Sequence, residues 1–278
     1  MVLTIFSLSL YKNKKEMELK LKILKGSTQK IWITSDTHHS HKNICRGVTE
    51  WRTKDKQIPV AQTRPFNTLE EMNEKIINNI NKVVGQDDIL IHDGDFSFGG
   101  IENIWRFRSR IICKNIYHII GNHDHHIEND RILPNCHFDD NDNIVDGPVP
   151  IRYGDSRDQL FAVTARQLFI QVFEKMYLIV SDENKFIKHT LIIQHFPEMS
   201  WNGLNNGYIH LHGHMHLPND KKLTGGRRMD IGIDGHPEFR PYDLIEECIK
   251  PLRKLEIKSS FDRLDHHMEE FEHVLNKN

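Results

Sequence analysis

Histidine is over-represented in this chain, at 19 of 278 residues, and four of the histidines alternate along 210–216: His210, His212, His214 and His216. Other residues with metal-binding atoms recur just beyond short apolar runs. Asp36 and His38 follow 30–35, Asp95 follows 88–92, Asn122 and His123 follow 115–120, His195 follows 190–194, and His214 and His216 follow 208–211. Two carboxylates, an amide and four or five imidazoles, with no thiolate, form an oxygen and nitrogen set. Such a set suits Mn²⁺, Fe or Zn²⁺ better than Ca²⁺. In Asp36-Thr37-His38 and His214-Met215-His216 the candidates are two apart, so on an extended chain both side chains of each pair point the same way. Gly94, Gly121 and Gly213 stand just before candidates and allow the backbone to turn tightly there. Any one fragment has a bland reading as a chance DxH, a turn, or a satisfied core histidine. Five of them, each at the end of an apolar run, argue for a single cluster.

The elements that must position this cluster follow from the same pattern. The runs at 30–35, 88–92, 115–120, 190–194, 208–211 and 229–233 read as buried strands. Open α/β sheets bind ligands at the carboxyl ends of such strands. Thr68 and Glu71 form a capping-box pattern. Leu69, Met72, Ile76, Ile80 and Val83 then mark one helical face, with Gly85 as the stop. A second helix is expected over 102–110, and a hairpin over 177–193 turning at 182–184. The tail carries Phe261, Leu264, Met268, Phe271 and Leu275 at helical spacing. That stripe reads as packing back on the core, with a dimer contact as the alternative. Residues 139–170 open acidic and Asn-rich and have no clear period.

Composition narrows the class further. Thirty-seven basic against 39 acidic residues give a net charge of −2, so nothing drives the whole chain toward nucleic acid or an acidic membrane. Hydrophobic content of 38% and charged content of 27% fit a soluble globular protein. The apolar residues 1–10 lack a preceding charge and a cleavage site, and are too short to span a bilayer. They read as a soluble extension, with Met17 as an alternative start before the strand-like alternation of 18–24. Cys45, Cys113, Cys136 and Cys248 show no CxxC spacing and read as reduced thiols of a cytoplasmic protein.

The ordered fragments resemble the calcineurin-like metallophosphoesterases, and most of all their small bacterial and phage branch. The resemblance rests on DTHHSHKNI at 36–44, Arg64-Pro65-Phe66, EEMNE at 70–74, GDFSFG at 94–99, GNHD at 121–124, SWNG at 200–203 and GYIHLHGHMH at 207–216. It covers about 30–137 and 171–247. The resemblance implies an α/β sandwich of two mixed β-sheets flanked by helices, with the metals at strand C-terminal ends. It sets a domain over 30–249 with an insertion at 139–170, an extension at 1–29 and a helical tail at 250–278. It implies a metal-dependent phosphoesterase, a hydrolase with two divalent metal ions, Mn²⁺ first and Fe or Zn²⁺ as alternatives. Asp36, His38 and His216 would hold one ion, Asn122, His195 and His214 the other, with Asp95 bridging. His123 would serve the leaving group, oriented by Asp124.

The implied reaction is hydrolysis of a small phosphodiester, a nucleotide or cyclic nucleotide, by a hydroxide shared between the metals. A nuclease, or a scaffold without activity, are the alternatives. No membrane partner is expected, and nucleic acid is not favoured. Arg64 and Asn43 are candidate substrate contacts; Arg64 alternatively pairs with an acid, and Asn43 and His41 alternatively cap a helix. Trp201 stacks on a base or sits in the core. Asp93 departs from the branch, where an apolar residue is usual. An extra carboxylate there would raise metal affinity, repel an anion, or hydrogen-bond a loop. The 139–170 segment, with Arg152, Tyr153, Arg157 and Arg166, reads as a rim over the site or as outer decoration.

Overall fold

A computed structural model describes residues 17–23, 27–133, 137–138, 144–146, 163–182 and 188–257. Its strands are β1 (Met17–Ile23), β2 (Ile31–Thr34), β3 (Ile89–Asp93), β4 (Asn115–Ile119), β5 (His137–Phe138), β6 (Ile144–Asp146), β7 (Gln171–Phe173), β8 (Met176–Asp182), β9 (Lys188–Ile193), β10 (Ile209–His212), β11 (Arg228–Asp230) and β12 (Tyr242–Asp243). Two five-stranded sheets form, in the orders β1-β8-β9-β10-β11 and β12-β2-β3-β4-β7, with β5 and β6 paired apart from them. Both large sheets are mixed: β8 with β9 and β12 with β2 are antiparallel, and the other pairs are parallel.

Strand period explains the layers. On β2 and β3 the odd residues Ile31, Ile33, Ile89 and Ile91 enter a core shared with Leu178, Leu191, Leu211 and Met229 of the other sheet. The even residues Trp32 and Leu90 enter a second core with Met72, Ile76, Ile80 and Phe107. Those last residues lie on α1 (Leu69–Val83) and α2 (Ile101–Arg110), which cover one face of the second sheet. A strand buried on both faces reads as a continuous apolar run, which is why these segments stand out in the sequence.

The expected strands all form, some displaced at their ends by one to three residues. The 177–193 hairpin forms as β8 and β9, its turn at 183–187 lying outside the described residues. Thr68 caps α1 by accepting from the Glu71 amide, but Glu71 reaches back to the Asn67 amide, one residue before the cap. Gly85 is not the stop that its type suggests. Val84 ends α1 in an extended conformation, and Gly85 instead donates its amide to Asp88.

Three described stretches border the core. Within the N-terminal extension, β1 adds an edge strand parallel to β8 and buries Leu19 and Leu21. Residues 163–170 bury Val163, Ala165 and Phe169 in the helix-side core, so the end of the 139–170 segment is part of the main packing. Arg166 binds the Ile127 and Glu128 carbonyls. Arg152, Tyr153 and Arg157, like the tail stripe, lie outside the described residues.

Candidate metal centre

The two sheets are joined where the site sits. The Ser35 amide donates to the Ile231 carbonyl, and the Ile233 amide donates to the Ser35 carbonyl. This ties the end of β2 to the chain leaving β11. A Cβ on Gly213 would overlap Ser35 and Asp36, so glycine is what lets the His214 turn lie against Asp36. The strand ends then bring seven side chains together.

Their local backbone differs from the extended form expected for the Asp36-Thr37-His38 and His214-Met215-His216 pairs. Asp36 (φ 54°), His38 (φ 46°), Asp95 (φ 57°), His214 (φ 69°) and His216 (φ 49°) are all left-handed. The paired side chains converge because two left-handed residues flank one other, and strand alternation plays no part. Left-handed backbone in residues other than glycine is held only where surroundings enforce it, and functional sites are where it collects.

The donor atoms fall into two overlapping groups. Asp36, His38 and His216 lie within reach of one ion, and so do Asp36, Asp95 and His195. Asp95 Oδ2 is 3.4 Å from His38 Nε2 and 3.3 Å from His195 Nε2, so it touches a histidine of each group. Asn122 Oδ1 is 3.1 Å from His195 Nε2 and 2.9 Å from His214 Nδ1. All seven ligand candidates therefore share one cluster.

The chemistry of these atoms fits a cation. His195 Nδ1 donates to the Asp93 carbonyl, and His216 Nδ1 donates to Asp234 Oδ2. In each neutral ring the Nε2 lone pair then points inward. His216 Nε2 faces His38 Nε2 at 3.1 Å and Asp36 Oδ1 at 3.5 Å. Asp36 Oδ1 is buried without a hydrogen-bond donor. Lone pairs aimed at one another repel unless a proton or cation lies between them. Burial, then the neighbouring His216 and Arg64, hold His38 well below its ordinary pKa, so it is neutral. Burial alone would also lower His195, but Asp95, Asp36 and Asp93 outweigh it and raise it to about 10. Without an ion, a proton on His195 meets the acidic charge.

The remaining expected site residues divide. His123 stands beside the cluster, its ring centroid 5.3 Å from that of His38, and its amide donates to Asp95 Oδ1. Asp124 does not hold the His123 ring. It is buried and accepts from the Asp95, Phe96 and Gly121 amides and from His118. Burial opposes its ionisation, but His118 and the backbone donors prevail and hold it well below the usual carboxylate range. Asp124 thus locks the Asp95 turn to the Gly121 turn.

Arg64 is a correction to the substrate-contact expectation. Only 3% exposed, it places Nε and Nη2 on Asp234 at 2.7 and 2.8 Å and donates to the Asp36 and Thr37 carbonyls. Its acid sits on a short turn, Ile233–Gly235, and its donors brace the ligand backbone. Asn43, half-buried in the turn Lys42–Ile44, accepts from the Glu50 amide through its side-chain oxygen and so fixes a loop. Trp201 is core, packed with Ile192 and Leu204, and donates to the Tyr208 carbonyl. Asp93 contributes its carbonyl to His195, while both side-chain oxygens are buried and unpartnered. Burial, reinforced by Asp36, Asp230 and Asp95, outweighs His195 and keeps that carboxyl well above its ordinary pKa.

Among the supporting histidines, His92 bonds Thr37 and His39 stacks on Phe107. His210 spans the Ile192 carbonyl and the Glu198 amide, and His212 bonds the Gly213 carbonyl and Thr224. Asp234 was not singled out in the sequence. The available signal was a carboxylate just past a strand, set among glycines at 232 and 235 as the ligand turns are.

Comparison with known proteins identifies the class. A family model for calcineurin-like phosphoesterases matches residues 29–245. The chain belongs to this family of metal-dependent phosphoesterases. Among curated proteins, an uncharacterized protein of Methanocaldococcus jannaschii is 32% identical over 108 residues, which is 38% of this chain and 53% of that protein. This match spans about half of the relative's length. Among solved structures, the crystal structure of a protein of unknown function from Aquifex aeolicus has a TM-score of 0.45 at 16% identity. It covers 81% of this chain and 100% of its own. Among the described residues no helix is long and apolar enough to cross a membrane.

Proposed function

We propose that this chain is a two-metal phosphodiesterase acting on a small phosphodiester, a nucleotide or cyclic nucleotide, and that it stands near the small bacterial and phage branch of the family. The observation that carries the reading is Asp95 Oδ2, which lies 3.4 Å from His38 Nε2 and 3.3 Å from His195 Nε2 with Asn122, His214 and His216 completing the ring. Asp36, His38, Asp95 and His216 would hold one divalent ion, and Asp95, Asn122, His195 and His214 the other. The donor set favours Mn²⁺, with Fe or Zn²⁺ next. When bound, such a pair of ions supplies Lewis-acid charge for the phosphate oxygens and lowers the pKa of attacking water.

The protein's own groups do the rest. Asp95 and Asp36 offset cationic charge. Asp124 and Arg64 keep the ligand turns in place, so little reorganisation is needed as charge builds. Water oxygen forms a new bond to phosphorus as the P–O ester bond breaks, and His123 gives its proton to the leaving oxygen; one proton of the water then returns to His123 and the other leaves with the phosphomonoester or solvent. We place the protein in the cytoplasm, which suits the free, buried thiols of Cys45, Cys113 and Cys248. The test is hydrolysis of bis(p-nitrophenyl) phosphate after chelation and after Mn²⁺ is restored. Activity should vanish and return. Metal content below one ion per chain after loading overturns the two-metal reading.

A further inference from the structure

A cavity of about 1030 Å³ opens above the cluster. Its floor includes Asp95, Asn122, His214 and His216. One wall is the loop at 49–62, which turns Trp51, Ile58 and Val60 toward the cavity. These side chains are 38%, 38% and 60% exposed. Arg52, Thr53 and Gln62 line the same wall, and its apolar side chains beside a charged floor give the layout of a site for a ligand with one ionic and one flat apolar part.

The wall is built from the inside. Arg46 donates to the Val60 and Thr63 carbonyls and to the Thr63 hydroxyl. Thr53 accepts from the Gln57 amide through its hydroxyl and donates its own amide to the Gln57 carbonyl. Asn43 anchors Glu50, the residue before Trp51. The Trp51 indole meets His41 edge-on with centroids 5.8 Å apart, and His41 stacks on Phe98 at 3.9 Å. His41 is in turn 5.2 Å from His38 and 6.2 Å from His123. Aromatic surface therefore runs from the cluster to the rim.

Building on the phosphodiesterase reading above, we propose that the 49–62 wall is a nucleobase subsite, with the base stacked on Trp51 while the phosphate lies on the metal floor. The cavity is of the size that takes a small molecule. Base–aromatic stacking is worth about 5- to 150-fold in affinity per base, so the wall would decide which phosphate esters are held.

The test is calorimetric titration of the Mn²⁺-loaded full chain with 5′-AMP and with ribose 5-phosphate, which shares the sugar phosphate and has a hydroxyl in place of the base. AMP should bind about 10- to 100-fold more tightly. Trp51→Ala should shrink that gap to within about threefold by weakening AMP, and Trp51→Phe, which keeps a ring, should retain most of it. Equal affinities in the unsubstituted protein, or an unchanged gap in Trp51→Ala, overturn the subsite. Tryptophan fluorescence of the unsubstituted protein gives a readout independent of how the variant folds. AMP should quench it and ribose 5-phosphate should not; an absent quench also overturns the proposal. Hydrolysis of bis(p-nitrophenyl) phosphate is assayed in parallel. Its failure counts against the phosphodiesterase reading, whereas normal hydrolysis with no AMP preference counts against the subsite alone.

Discussion

Replacing Asp234 with Asn should damage stability and metal binding through two separate contacts. Asp234 accepts from Arg64 Nε and Nη2, and from His216 Nδ1 at 2.8 Å. Asn keeps the shape and removes the charge. Arg64, buried at 3% exposure, is then left as an uncompensated cation, and breaking a buried pair in this way costs about 3–5 kcal/mol. At His216 the charged acceptor that fixes which nitrogen carries the proton becomes a neutral amide oxygen, a weaker hold. Replacing such an outer partner weakens a metal site by about 10- to 100-fold, or roughly 1.4–2.8 kcal/mol at 1.4 kcal/mol per decade. Urea unfolding in EDTA isolates the first effect, and Mn²⁺ competition against a chelator isolates the second. Adding Arg64→Met should recover much of the stability and none of the affinity. Unchanged Mn²⁺ affinity in Asp234→Asn would refute its hold on His216. A stability loss below about 1 kcal/mol, well under the cost of an unpaired buried charge, would refute its role as counter-ion.

Three further outcomes are expected. His123→Ala should retain bound metal while kcat falls about 10²- to 10⁴-fold; the fall should be smaller for nitrophenolate leaving groups, and an equal fall for good and poor ones would remove His123 as the acid. Asp95→Ala should lower metal occupancy of both groups, measured by elemental analysis, because its Oδ2 lies between His38 and His195; loss of one ion alone would contradict a bridge. Burial lowers the His210 pKa from 6.5 to about 3, and its Nε2 accepts from the Glu198 amide. The unfolded chain therefore takes up a proton below pH 6.5 that the folded chain refuses until about pH 3. Its contribution is full above 6.5 and fades as pH falls, by about 1.4 kcal/mol per unit. Urea midpoints at pH 7 and pH 5 should differ less in metal-free His210→Asn than in the unsubstituted protein.

The strands and the ligand list were legible because both depend on local pattern. Ile31, Ile33, Ile89 and Ile91 are apolar on faces that any tertiary arrangement must bury, and the candidate ligands sit at the ends of those runs. What lay hidden depends on distant partners. Arg64 is a cation beside Pro65 in the sequence, and only the fold places Asp234 against it, 170 residues away. Trp201 and Trp51 are indistinguishable by type, yet one fills a pocket beside Ile192 and the other is left at a rim. The family resemblance implies that Asp124 orients the neighbouring His123. In the fold its oxygens turn inward to the Asp95 and Gly121 amides.

The ligand backbone is the deepest departure from the sequence reading, and it makes a prediction of its own. Five ligand candidates at positive φ hold conformations that cost an L-residue roughly 1–2 kcal/mol each. That sum is comparable with the whole net stability of a domain, about 5–15 kcal/mol. Asp tolerates the left-handed region better than most residues, which lightens the cost at Asp36 and Asp95 but not at the histidines. His214 is the cleanest probe, because its ring is partly exposed and its backbone φ is 69°. In an ordinary extended or helical position, Ala is the better replacement, since Gly loses more entropy on folding. At φ 69° the order should reverse. Metal-free His214→Gly should be more stable than metal-free His214→Ala by about 1 kcal/mol, while both lose Mn²⁺ affinity alike because both lack the imidazole. Chemical denaturation in EDTA measures the difference directly. If Ala is equal to or better than Gly, the turn relaxes without its ligand, and the claim that the fold holds these residues in a strained geometry fails.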